Sequence, residues 1–368
     1  MSQPPRHAVP ASLALLLAAL AGCTTPVKRS PEPVLAQVAP PTATPAGPGG
    51  AGSSTLAGEA SLVPVLDDAR REAFVAEAAK ASGLSPEEVR GWLSQARYQQ
   101  SIINAITRPA EGKAWKDYRP IFLTPARIEQ GRTFYAENRS SFDAVAAQTG
   151  VPAEYIVAII GVETSYGRIT GTYRVLDALY TLAFFYPRRE EFFRGELLQL
   201  FTLAREEKLD LATLKGSYAG AMGWGQFMPS SYRAYARDGD ADGRRDLLGS
   251  RQDAIASVAN YFVAHGWQRG TPVFVPAVAD PGAAPFVPTD FVARYSLADL
   301  ASRGYRPANP GAPDLPVTLL TLDGANGPEY WIGYQNFYVI TRYNRSPMYA
   351  MAVHQLAQEV AAGASASP

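Results

Sequence analysis

The sequence predicts a mainly α protein of the α+β class, a helical body interrupted once by a small sheet. Two observations predict it. Helix caps and apolar residues at helical spacing recur from about Leu62 to Gly266 and return from Phe337 to Val360. Between about Gly270 and Gly333 the pattern changes to short β-prone runs bounded by proline and glycine. At 368 residues and 47% hydrophobic composition, there is material for two or three subdomains.

The elements follow in order. Ser85-Pro86-Glu87-Glu88 is a capping box with proline at the first helical position, and Thr124-Pro125 starts a second helix in the same way. Pro152 is expected at the first position of a third helix, which Gly167 closes in a left-handed conformation. Glu190 to Lys208 carries Phe192, Phe193, Leu197, Leu200 and Phe201 at helical spacing, and Asp253 to His265 repeats the pattern up to Gly266. Val273-Phe274-Val275, Val317 to Leu322 and Tyr330-Trp331-Ile332 then read as strands, with turn signals at Asp323-Gly324 and Asn326-Gly327. Phe337 to Arg342 leads into a last apolar helix from about Pro347 to Val360. There is no internal repeat and no heptad run.

The N-terminus stands apart from this fold. Arg6 and His7 precede an apolar run from Ala11 to Gly22, too short for a membrane span but suited to a signal-peptide core. The run ends in Leu20-Ala21-Gly22-Cys23, which resembles a bacterial lipobox, where cleavage leaves Cys23 as a lipidated N-terminus. Ordinary secretory cleavage after Ala19-Leu20-Ala21 is the alternative. Cys23 is the single cysteine, so no disulfide can form within the chain. From Thr24 to about Ala60 the chain is mostly Pro, Ala, Gly, Ser and Thr, too poor in apolar side chains to order itself. Such a tether reaches on the order of 100 Å when stretched. Lys plus Arg and Asp plus Glu each number 34, and this neutrality argues against nucleic acid as a partner.

Several chemistries are excluded by what is missing. The three histidines His7, His265 and His354 are too few for a histidine-rich zinc site. Gly223-Trp224-Gly225-Gln226-Phe227-Met228 lacks the third glycine and the preceding strand of a dinucleotide loop, and neither a phosphate loop nor a serine-hydrolase elbow is present. What remains is Glu163. Ile156, Ile159 and Ile160 lie seven, four and three residues before it, so its carboxyl shares their apolar face. A carboxyl there is costly to ionise and holds its proton near neutral pH, as a general acid must. An ordinary salt-bridged glutamate is the plainer alternative. Nineteen tyrosines and five tryptophans suit carbohydrate; most belong to core and surface, with Trp224, Tyr232, Tyr261 and Tyr343 singled out by their neighbours.

The block from Gly161 to Tyr186 with Arg188 and Arg189, the loop from Lys215 to Tyr232, and Asn336-Phe337-Tyr338 through Arg342-Tyr343-Asn344 to Tyr349-Ala350-Met351 together resemble the membrane-bound lytic murein transglycosylase B family. The resemblance runs from about Val65 to Val360. It implies a goose-type-lysozyme-like core, a helical N-terminal domain and a small inserted β domain. The expected organisation is a signal peptide over 1–22, a lipidated tether over 23–60, a helical domain over 61–150, and a catalytic core over 151–268. The inserted β domain then occupies 269–333, the return to the core 334–360, and a disordered tail 361–368.

The family implies cleavage of the β-1,4 bond between N-acetylmuramic acid and N-acetylglucosamine in peptidoglycan, leaving a 1,6-anhydro end. By position, Glu163 matches the acid/base, and Ser217, Gln226, Tyr261, Tyr343, Asn344 and Tyr349 match residues lining the sugar cleft. Arg188 and Arg189 are candidates for peptide-stem carboxylates, or simply a solvated surface. No cofactor is expected for catalysis. A muramidase that uses water, or a binding lipoprotein without activity, are the alternatives.

Asp238-Gly239-Asp240-Ala241-Asp242-Gly243 opens like an EF-hand, with the Arg244 carbonyl at position seven and Asp246 at nine. Gly249 stands where the bidentate glutamate belongs, and the resemblance makes Asp253 the last ligand of a structural calcium site spanning 238–253. An Asp-rich solvated turn is the alternative. The expected partners are glycan strands, the membrane through lipid on Cys23, and cell-wall synthesis or remodelling complexes. Thr24, in place of a retaining aspartate, favours an outer-membrane lipoprotein facing the periplasm.

Overall fold

A computed structural model describes residues 64–107 and 113–364. The signal peptide, Cys23 and the tether lie outside the described residues. The first pair of helices is α1 (Asp68–Ser82) and α2 (Pro86–Gln95), and α2 begins at the predicted capping box, with Ser85 and Glu88 bonded reciprocally. After α3 (Gln100–Ile106) and α4 (Trp115–Phe122) comes α5 (Pro125–Glu137), whose first turn is capped by the Thr124 hydroxyl accepting from the Arg127 N–H. Helix α6 (Arg139–Thr149) stops at Gly150 in the left-handed region.

Helix α7 (Ala153–Thr164) is the central element, with Ile156, Ile159 and Ile160 all fully buried. Each of these isoleucines contributes roughly 1.5–3 kcal/mol by leaving water. Two expectations about its ends need correction. Pro152 is the residue before the helix, with an extended ψ of 140°, and the left-handed closure begins at Ser165, two residues before Gly167. Ser165 and Tyr166, in the turn that follows the helix, are themselves buried.

Strand β1 (Tyr173–Arg174), helix α8 (Val175–Phe185), a short 3₁₀ turn at Pro187–Arg189 and helix α9 (Glu190–Glu206) follow. Strand β2 (Lys215–Gly216) pairs with β1 in a two-stranded ribbon that no periodicity announced. Helices α10 (Pro229–Tyr235) and α11 (Arg251–Ala264) complete the middle of the chain.

The β region contains strands β3 (Phe274–Ala279), β4 (Tyr305–Pro307), β5 (Thr318–Gly324) and β6 (Gly327–Gly333), with α12 (Leu297–Ser302) beside β4. They form an antiparallel sheet in the order β4-β3-β6-β5. Gly324 faces Gly327, so both predicted turn signals belong to one hairpin. Leu300, Tyr305, Val317, Leu319, Ile332 and Tyr334 give this region its own small core. Helix α13 (Gln335–Tyr343) then leads to α14 (Pro347–Ala364), which packs on α5 and α7. Because α14 runs to Ala364, the first four residues of the expected disordered tail are helical.

Candidate active site

Glu163 is the penultimate residue of α7, and α14 lies against that helix. The packing brings the Tyr349 hydroxyl to 2.6 Å from Glu163 Oε1, to which it donates. The residue is half-buried. Burial pushes the carboxyl up to about 7, and the Tyr349 hydrogen bond pulls it the other way. Among the described residues no other carboxylate contributes to its acidity. A carboxyl raised in this way is largely protonated below neutral pH.

Behind this pair lies an aromatic cluster. Tyr343 and Tyr261 are 5% and 2% exposed, with ring centroids 4.8 Å apart. Their hydroxyls are committed to the backbone, Tyr261 donating to the Arg342 carbonyl at 2.7 Å and Tyr343 to the Gly225 carbonyl at 2.5 Å. Tyr261 therefore ties α11 to the end of α13, and Tyr343 ties that end to the loop around Gly225. Burial raises the Tyr343 and Tyr349 hydroxyls well above their ordinary range, so both stay protonated donors.

The glycine-rich loop between β2 and α10 supplies Ser217 and Gln226. Gln226 adopts φ 51°, and its Nε2 donates to the carbonyls of Thr170 and Gly223, each at 3.0 Å. Its Oε1 is the remaining polar atom of that side chain. Ser217 Oγ accepts from the Ala219 and Ala221 N–H groups, which shapes the loop's first turn. Asn344 Oδ1 accepts from the Ser346 N–H at 3.0 Å, leaving its NH₂ for a ligand. Arg188 is exposed, whereas Arg189 lies over the Phe192 ring at 4.3 Å and close enough to Arg345, beside Asn344, for their charges to repel.

Tyr232 and Trp224, the other aromatics singled out for sugar contact, also make structural contacts. Tyr232 is fully buried, donates to the Arg245 carbonyl and accepts from the Leu247 N–H, and so belongs to the core. Trp224 donates from Nε1 to the Leu248 carbonyl and covers Gly167, where a Cβ would stand 2.6 Å from the indole. Only glycine fits there.

In the Asp-rich loop, carboxylate oxygens of Asp238, Asp240 and Asp253 lie within 4.8 Å of one another. These are three of the carboxylates that the sequence singles out for the site. Asp242 and Asp246 turn their carboxylates onto their own backbone, to the Arg244 N–H at 2.8 Å and to the Leu248 and Gly249 N–H groups. The Arg244 N–H donates to the Asp242 carboxylate. Asp253 is buried, and desolvation together with Asp240 raises its carboxyl. Three converging carboxylates, one of them enclosed, are a donor set suited to a hard divalent cation such as calcium.

Three residues near the site carried no signal in the sequence. Thr164 is a buried hydrogen-bonding hub directly after the acid. Glu196, from α9, accepts from the Ser230 N–H at 2.9 Å and hydroxyl at 2.6 Å and so caps α10 from outside. Tyr118 of α4 comes close enough to raise the Tyr349 hydroxyl further. Only tertiary packing separates them from other threonines, glutamates and tyrosines.

Residues 67–358 match the family described as the Transglycosylase SLT domain. The chain is 45% identical over 298 residues to membrane-bound lytic murein transglycosylase B of Escherichia coli (strain K12), covering 78% of this chain and 81% of that protein. The crystal structure of soluble lytic transglycosylase SltB1 from Pseudomonas aeruginosa is similar with a TM-score of 0.76 at 49% identity, covering 80% of this chain and 99% of that one. The Escherichia coli lytic transglycosylase Slt35 in complex with calcium gives a TM-score of 0.73 at 43% identity, over 83% and 95% of the two chains. The helical body with its minor sheets is thus a lysozyme-like fold, and the chain belongs to the transglycosylase SLT domain family, a family of enzymes that act on peptidoglycan.

Proposed function

We propose that this enzyme cleaves the β-1,4 bond between N-acetylmuramic acid and N-acetylglucosamine and closes the muramic acid onto itself as a 1,6-anhydro end. The observation that carries the reading is the half-buried Glu163 carboxyl, raised to about 7 and hydrogen-bonded by Tyr349. Protonated Glu163 donates to the leaving glycosidic oxygen. The resulting carboxylate, steadied by the Tyr349 hydroxyl, takes the proton of the muramic acid C6 hydroxyl as that oxygen bonds to C1. No enzyme nucleophile is needed, in keeping with the finding that among the described residues no other carboxylate acts on Glu163. Gln226 Oε1 and the Asn344 amide would orient the sugar and its N-acetyl group, a reading supported by their having no other bond in the loops that hold them among the described residues. Arg188 and Arg189 offer positive charge to peptide-stem carboxylates.

Asp238, Asp240 and Asp253 would hold a structural calcium ion, whose charge offsets their mutual repulsion. Catalysis needs no cofactor. Lipid on Cys23 would anchor the enzyme to the outer membrane, with the tether carrying it to the glycan strands and to any cell-wall complexes it serves.

Glu163→Gln tests the central assignment. It keeps the size of the side chain but removes both the acidic proton and the conjugate base. Turnover on purified murein should fall by roughly 10²- to 10⁴-fold while murein binding persists. Near-native turnover would refute the role of Glu163.

A further inference from the structure

Directly after Glu163 the chain reverses through a turn that is expensive to hold. Ser165, Tyr166 and Gly167 follow one another with φ values of 50°, 62° and 79°, all left-handed, and two of the three carry a Cβ. Such residues stay in that region only when surrounding contacts determine them. Tyr166 is fixed from one side by its hydroxyl, which donates to the Arg127 carbonyl at 3.0 Å. Thr164 fixes the other side.

Thr164 is 1% exposed. Its Oγ1 accepts from the Gly167 N–H at 3.0 Å, closing the turn. The hydroxyl proton faces the Trp224 carbonyl at 2.9 Å and the Ile160 carbonyl of its own helix at 3.1 Å. A hydroxyl has one proton and two lone pairs, so this one side chain closes the turn and pins the glycine-rich loop at the same time. The pinned carbonyl lies two residues before Gln226. The next carbonyl, that of Gly225, accepts from Tyr343, one residue before Asn344. The end of the acid's helix, the Gln226 loop and the Asn344 segment are thereby joined by two adjacent hydrogen bonds.

We propose that Thr164 is a positioning residue for the reaction at Glu163, fixing the Gln226 loop in register with the acid. The proposal rests on the reading of Glu163 given above. Helix α7 itself does not depend on Thr164, because its buried isoleucines and Tyr166 hold it independently. What the hydroxyl controls is the spacing between the acid and the loop. A polymer spreads its binding over the whole cleft, so a small loss of register should appear in kcat more than in KM.

The test compares Thr164→Val, which keeps the shape and loses the hydroxyl, with Thr164→Ser, which keeps the hydroxyl, on purified murein. Thr164→Val should lower kcat by roughly 10- to 100-fold with KM changed less than about threefold, and Thr164→Ser should return kcat to within about threefold of native. Thr164→Ala, which cannot clash, carries the same expectation should Thr164→Val fail to fold. Equal impairment of the valine and serine variants, a loss confined to KM, or native kcat without the hydroxyl would overturn the proposal. Glu163→Gln measured alongside separates the two claims. If it is inactive while Thr164→Val is native, only the positioning role fails, and if it is itself active, the acid assignment fails.

Discussion

The Tyr349 hydroxyl donates to Glu163 Oε1 at 2.6 Å across a separation of 186 residues in sequence. This bond favours the carboxylate, whereas burial favours the acid, and the two opposing effects leave Glu163 near 7. Tyr349→Phe removes the effect that lowers the value and keeps the burial that raises it. The alkaline limb of kcat/KM, which reports the protonated acid, should therefore move to higher pH. An unmoved limb, or one moved to lower pH, would contradict the role given to Tyr349.

The same acidity makes stability depend on pH. Glu163 rises from its ordinary 4.5 to about 7 on folding, so its contribution is fully present below about pH 4.5 and is lost as pH climbs through about 7. The loss amounts to at most about 3 kcal/mol, at 1.36 kcal/mol per unit. Glu163→Gln carries no ionisable group there. Its melting temperature should gain on the native enzyme by several degrees between pH 4.5 and pH 8. A difference that stays constant across that range would show that the native carboxyl is not held in its acid form by folding.

At the Asp-rich loop, a cation bound only by the folded state stabilises it by linkage, about 2.7 kcal/mol at a hundredfold excess over Kd. Saturating calcium should raise the melting temperature over that in chelator. Asp238→Ala combined with Asp240→Ala should abolish the rise, since these two converge with Asp253. Equal melting of the native protein in calcium and in chelator would leave the loop a solvated turn.

Labelled palmitate tests the anchor. The mature protein should incorporate it through Cys23, and Cys23→Ala should not. Equal labelling of the variant would remove the lipoprotein assignment.

Much of this architecture is legible in the sequence, and the parts that are not have physical causes. The capping box at Ser85 and the hairpin flanked by Gly324 and Gly327 are local, determined by residues a few positions apart, and both form as read. Glu163 stood out because an apolar helix face is periodic, and three buried isoleucines mark that face. Tyr232 was misleading, since nothing in its neighbours says that its ring is enclosed and its hydroxyl committed to the Arg245 carbonyl. The ribbon of β1 and β2 joins two residues to two others some forty positions away, too short to leave a period. Thr164 and Glu196 act through partners sixty and thirty-four residues distant, and only packing brings these together.

The origin of the oxygen at the new muramic acid C1 tests the central claim most directly. Murein digested by the native enzyme in water enriched in heavy oxygen should yield fragments with 1,6-anhydro ends, free of the label and lighter by one water than hydrolysed ends. Heavy oxygen at the new muramic acid end would mean that water, not the C6 hydroxyl, attacks C1, and would make the enzyme a muramidase.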